Sequence, residues 1–236
     1  MAELLPEPKP LSIVIPVLNE ARQLTLCLTD LGERGWTKNQ VEVIVCDGGS
    51  DDKTRDVARQ FDCQLVTSSP GRAVQMNRGA CVANGDYLLF LHVDSRLPPD
   101  FEGTLPADSS WGFFQIRLDG QPMIYRIIES AINLRTRLTS VAGGDQGIFF
   151  SRESFDRLQG FPQIPLMEDV AICKLARKLI CPLIIRSSIT SSSRRWQKNG
   201  VVRTIVLMWF LRLAYWLGVS PHRLHQIYYP RPGKAG

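Results

Sequence analysis

Short stretches of this chain put acidic, basic and imidazole groups where chemistry could use them. Asp47 stands in Asp47-Gly48-Gly49-Ser50-Asp51-Asp52, directly after an apolar run. The glycines let another group approach the backbone closely. Ser50, Asp51 and Asp52 read as turn and capping residues, which leaves Asp47 to face a ligand. His92-Val93-Asp94 closes a second apolar run. A carboxylate there can hold Mg²⁺ or Mn²⁺, which then bridges to substrate phosphates. His92 shares that side of an extended chain and is a second candidate ligand; a plain surface turn is the competing reading. Glu168-Asp169 opens a helix, where acids also serve as dipole partners. Arg72, Asn77 and Arg78 lie near the start of another helix, where anions are welcome. Arg194-Arg195-Trp196 suits a diphosphate, or simply a solvated basic patch. Asp145, in a glycine-rich turn, is equally a turn former or an acceptor contact.

The elements that must position these groups follow from periodicity. Leu11–Val17 is a continuous apolar, β-branched run, as expected of a strand buried on both faces. Helical spacing follows over 20–32. Strands are predicted at 41–46, 64–67 and 87–91, with helices over 51–61 and from Pro70-Gly71 to about 83, the latter closed by Gly85 as a left-handed cap. Three β-α-β units in a row predict a mainly parallel sheet with right-handed crossovers. Ligands bind beyond the carboxyl ends of such strands, which is where Asn19-Glu20, Asp47 and His92–Asp94 fall. In the second half, strands are predicted at 111–118, 147–150 and 183–185, and helices over 124–138, 168–179 and 201–217.

The chain has 236 residues, is 44% hydrophobic and 22% charged, and so belongs with globular proteins rather than disordered, collagenous or disulfide-scaffold chains. Residues 1–169 hold 16 Lys+Arg and 23 Asp+Glu; residues 170–236 hold 12 Lys+Arg and no acid. Such a basic piece seeks phosphates, nucleic acid or an acidic membrane surface. Six scattered cysteines without CxxC spacing read as reduced thiols rather than a zinc site. The start, MAELLPEPKP, lacks the basic and apolar regions of a signal peptide, so a cytoplasmic location is expected. Residues 201–217 are interrupted by Arg203 and Arg212, too charged for an ordinary spanning helix. They fit a helix packed on the domain or in a homodimer. They also fit one lying on the anionic inner face of the cell membrane.

The segments SIVIPVLNEA, CDGGSDDKT, GRAVQMNRGA, GDYLLFLHVDS, PLMEDV and SSRRW resemble, in sequence and in order, family 2 glycosyltransferases. The GDQG of residues 144–147 and the apolar, basic C-terminal helix are similar to a short bacterial subgroup found among radical-SAM genes. The resemblance implies an α/β fold of the GT-A type, with a Rossmann-like, mainly parallel central sheet flanked by helices. Residues 1–10 read as a loose arm; the resemblance implies a domain over 11–196, with a nucleotide-binding half (11–95) and an acceptor and catalytic half (96–196). A C-terminal helical appendage would cover 197–236. By residue, it assigns Pro16, Asn19 and Glu20 to the nucleotide pocket and Asp47 to the base. Arg72 and Asn77 go beside base and diphosphate, and Asp94 to the metal, with His92 where the first carboxylate of a DxD motif usually stands. Asp169 would be the general base, with Glu168 beside it. Arg194, Arg195 and Trp196 would meet the donor diphosphate, although Ser193 replaces the usual Gln.

The expected activity is therefore inverting transfer of a sugar from a nucleotide-diphosphate sugar to a hydroxyl acceptor. A UDP-sugar is favoured, a GDP-sugar is the other option, and Mn²⁺ or Mg²⁺ assists. The acceptor is open and includes lipid-linked compounds. A nucleotidyltransferase-like enzyme and a non-catalytic nucleotide-sugar-binding protein are the alternatives. Strand one ends in Pro-Val-Leu-Asn-Glu rather than a glycine-rich loop, against the first; the retained Asp94 and Glu168-Asp169 count against the second. A nucleic-acid partner is not expected, since no recognised motif supports one.

Overall fold

The computed structural model describes residues 10–37, 39–106 and 109–229. The expected arm, apart from Pro10, and the Arg195 side chain lie outside the described residues. The first half runs β1 (Leu11–Val17), α1 (Ala21–Gly32), β2 (Val41–Asp47), α2 (Thr54–Ala58), β3 (Gln64–Thr67), α3 (Arg72–Val82) and β4 (Tyr87–Phe90). The second runs β5 (Ser95–Arg96), β6 (Trp111–Leu118), α4 (Met123–Thr139), a 3₁₀ turn (Gly144–Gln146), β7 (Ile148–Ser151), α5 (Arg152–Arg157) and α6 (Glu168–Ala176). It closes with β8 (Leu183–Ser191), α7 (Arg194–Asn199), α8 (Val201–Trp216) and α9 (Pro221–Tyr228).

One sheet carries these strands in the order β3-β2-β1-β4-β7-β6-β8-β5. β3, β2, β1 and β4 are parallel, as the β-α-β pattern predicts. β7 then joins β4 antiparallel, β6 joins β7 antiparallel, and β8 runs parallel to β6. Alternation divides each inner strand between two cores. Val14, Ile44, Cys46, Leu88 and Phe90 face one layer; Ile13, Ile15, Val45, Leu89 and Leu91 face the other. With layers packed on both faces, an inner strand such as β1 needs no polar side, which is why it reads as an almost wholly apolar sequence. α3 comes very close to the sheet. A Cβ on Gly79 would sit 2.4 Å from Val14 and 2.5 Å from the Cys46 sulfur, so only glycine allows that approach.

Several boundaries differ from the sequence reading. α3 ends at Val82 with Ala83 extended, and Gly85 is no left-handed cap. Its Cα packs on β1, where a Cβ would meet Ser12 Oγ at 2.6 Å. The helix expected over 51–61 shrinks to Thr54–Ala58, because Asp51 and Asp52 bind neighbouring loops instead. β8 is far longer than expected, since its polar Ser/Thr stretch pairs with β6 over Gln115–Leu118. Nor do residues 197–229 hang outside the domain as an appendage. Leu211, Ala214 and Leu224 are buried in the same core as Met167, Val170 and Ile172.

Candidate functional site

Sheet topology explains how residues distant in sequence meet. The loop after β1 and the loop after β2 are adjacent because Val17 and Asp47 are register partners. They are then laced together. Asn19 donates its amide to Ser50 Oγ (2.8 Å) and accepts at Oδ1 from the Asp51 amide (2.9 Å); the Glu20 amide donates to Thr54 Oγ1 (2.9 Å). Asn19 takes a left-handed φ of 56°, a conformation Asn tolerates, and Glu20 follows it directly.

A second device joins Asp94 to Arg194. Ser95 of β5 pairs with Ser191 of β8, and the Ser192 amide donates to the Asp94 carbonyl (3.2 Å). α7 begins two residues later, so the Arg194 guanidinium lies 3.5 Å from the Asp94 carboxylate and 4.0 Å from Glu20. Asn19, Glu20, Asp52 and Arg194 line a cavity of about 440 Å³. Burial raises the Glu20 carboxyl above its usual range; Arg194 opposes, while Asp94 and Asp52 add to the rise.

Beyond Asp94 lies a second acidic group. Asp169 Oδ2 accepts from the Gly144 amide (2.8 Å) and Oδ1 from the Val170 amide (2.7 Å). Gly144 is also pressed against His92, whose Nε2 would lie 2.5 Å from a Cβ at that position. Asp145 feels both Asp169 and Asp94: burial first, then Asp169, raise its carboxyl, and Arg212 of α8 counteracts them. Glu168 is buried, and its carboxyl rises to about 7 through burial and the Asp169 charge, with Arg72 pulling the other way. Met167 precedes it at φ 71°, a left-handed backbone in a non-glycine residue and hence a strained turn.

Asn19, Glu20, Asp94 and Arg194 therefore converge, and His92, Asp145, Glu168, Asp169 and Arg72 form a neighbouring group linked to them by the Asp94–Asp145 interaction. Other expected residues are engaged elsewhere. Asp47 is fully buried and turned onto its own loop; it accepts from the Gly49 and Ser50 amides and lies 3.8 Å from Arg55. Asn77 exchanges two 2.8 Å hydrogen bonds with the Phe161 backbone, so it ties α3 to the segment after α5 instead of facing a diphosphate. Trp196 packs on the cluster of Ile116, Leu118, Tyr125 and Ile128. Pro16 lies inside β1. Two arginines that sequence reasoning did not assign to the site lie beside this acidic group: Arg135 in the field of Asp145 and Asp169, and Arg212 in that of Asp145. In the sequence Arg212 reads as a charge that interrupts the apolar stretch 201–217, and helical spacing alone does not show which way it turns.

Among the described residues, no group of three His, Cys, Asp or Glu side chains could hold an ion alone. Asp94 and Glu20 converge on Arg194, and these hard oxygen donors fit a divalent ion that completes its shell with diphosphate oxygens and water.

Residues 12–105 match the family model for glycosyl transferase family 2. A PGL/p-HBAD biosynthesis glycosyltransferase from Mycobacterium bovis is 38% identical over 93 residues, which is 36% of this chain and 36% of that protein. The chain thus spans only about a third of the curated relatives it matches. Among solved structures, the mannosyltransferase PcManGT of Pyrobaculum calidifontis, in complex with GDP-Man and Mn²⁺, superposes with a TM-score of 0.64 at 18% identity, covering 88% of this chain and 61% of that one. Staphylococcus aureus TarS 1–349 with UDP-GlcNAc gives 0.61 at 17% identity, covering 78% and 59%. The chain is built on the GT-A glycosyltransferase fold, and its residues 12–105, which supply Asn19, Glu20, Asp47 and Asp94, carry the family 2 pattern.

Proposed function

We propose that this protein is an inverting glycosyltransferase that moves a sugar from a nucleotide-diphosphate sugar to a hydroxyl acceptor. The observation that carries this reading is the convergence of Glu20 and Asp94 on Arg194, which lines one cavity with Glu20, while Asp169 is held by two backbone amides in the adjoining acidic group. UDP-sugar and GDP-sugar donors are both supported by neighbours of the same fold that bind them.

Each residue has a role that its surroundings allow. Arg194 is a fixed positive charge beside Asp94 and can neutralise the diphosphate as it departs. A bound Mn²⁺ or Mg²⁺, held by Asp94 with Glu20 nearby, would supply further Lewis-acid stabilisation of that leaving group. Asp169 takes the acceptor proton, since two backbone amides orient its carboxylate. Glu168, held protonated over a wider range by burial, keeps a second negative charge away from the base. Attack opposite the leaving group inverts the anomeric carbon in one displacement.

The test is turnover of a nucleotide-sugar panel with Asp94→Ala and Asp169→Ala, both checked for unchanged melting. Removing a positioned base costs about 10²–10⁴ in rate, so Asp169→Ala should retain nucleotide binding and lose transfer. Asp94→Ala should lose the metal-dependent part of donor binding. Wild-type turnover in both variants would end this reading.

A further inference from the structure

α8 presents an unusual outer face. Val202, Val206, Trp209, Leu213 and Trp216 recur at four- and three-residue spacing, so they form one row along the helix. That row points away from the core, with exposures of 74, 61, 71, 57 and 72%. The buried positions, Thr204, Leu211 and Ala214, lie on the opposite side. α4 repeats the pattern. Met123, Ile127, Leu134 and Leu138 are 58–77% exposed at helical spacing. Ile132 of α4 and Ile205 of α8 pack against one small cluster, which sets the two helices on the same part of the surface. Apolar rows of this size on a folded surface mark a contact.

We propose that this face docks on an acidic lipid bilayer. Charge selects that occupant. Residues 170–236 carry 12 Lys+Arg and no acid. The one acid of α4, Glu129, is buried and bonded to the Leu118 amide. Arg137, Arg177, Lys178, Arg203 and Arg223 are all exposed. A two-fold contact would set this acid-free surface against itself, with like charges opposed and no carboxylate from α8 or α9 to pair them. Anionic headgroups supply the missing negative charge. Two tryptophans on the apolar row are suited to the boundary between headgroups and acyl chains. No helix among the described residues is long and apolar enough to cross a membrane, so the contact lies along the surface. Arg212 does not weaken it, since it turns inward to Asp145. The inference rests on this surface and not on the transfer reaction.

Flotation of the full chain tests it, with phosphatidylcholine vesicles and with vesicles containing about a third phosphatidylglycerol. Association with the acidic vesicles alone, weakened by salt, is expected. Trp209→Ser combined with Trp216→Ser should reduce it by about tenfold or more with melting unchanged, because both side chains are mostly solvent-exposed. Leu138→Ser gives an independent readout on α4. Three results would overturn the proposal: no association with acidic vesicles, wild-type association by all these variants, or a dimer in sedimentation that the tryptophan variant dissociates.

Discussion

At the scale of single residues, Glu168 and Asp169 show how neighbours in sequence acquire different chemistry. Asp169 reaches two amides, while Glu168 is buried beside it, with Arg72 and a backbone hydrogen bond in opposition. Below pH 4.5 both the folded and the unfolded chain hold the Glu168 proton; between there and about 7 only the folded chain does. Glu168 therefore subtracts stability as pH rises through that window, by on the order of 3 kcal/mol at most. Glu168→Gln should flatten the fall in melting temperature between these pH values, and an unchanged slope would show that another group is responsible. The adjacent acids were visible in the sequence, but which one would be desolvated was not, because that depends on what packs over them. Asp47 teaches the same lesson. Its place after β2 was legible, whereas the folding of its carboxylate onto Gly49 and Ser50 is a matter of loop conformation.

At the scale of elements, the 3₁₀ turn at Gly144–Gln146 is the joint between the two halves of the site. Gly144 touches His92 with its Cα and holds Asp169 with its amide. Gly144→Ala would force a Cβ to within 2.5 Å of His92 Nε2. The strain is about 1–3 kcal/mol, and it should appear as a loss of turnover larger than the loss of nucleotide affinity, since Glu20 and Arg194 are not displaced. Equal losses in both would place the turn's role elsewhere. The parallel strands β1, β2 and β4 were legible because apolar runs buried on both faces leave an unambiguous trace. β5, two residues long, left none, yet its pairing with β8 is what carries Arg194 to Asp94.

At the scale of the whole molecule, the C-terminal helices share one core with α6. Leu224 of α9 is completely buried in the main core, and Arg212 of α8 reaches Asp145. Leu224→Ala should therefore cost roughly 2–5 kcal/mol, as in any packed core, with one cooperative transition in urea. A separate, early transition would instead mark these helices as an independent unit. Sequence by itself determined the strand cores, the order of the acidic motifs and the concentration of positive charge after residue 169, because periodicity and composition are local properties. Only tertiary structure decided which acids share a cavity, that Asn77 and Trp196 serve packing, and that α8 turns one arginine inward and its tryptophans outward. Those outcomes depend on burial and on pairing between distant segments, which no window of sequence contains.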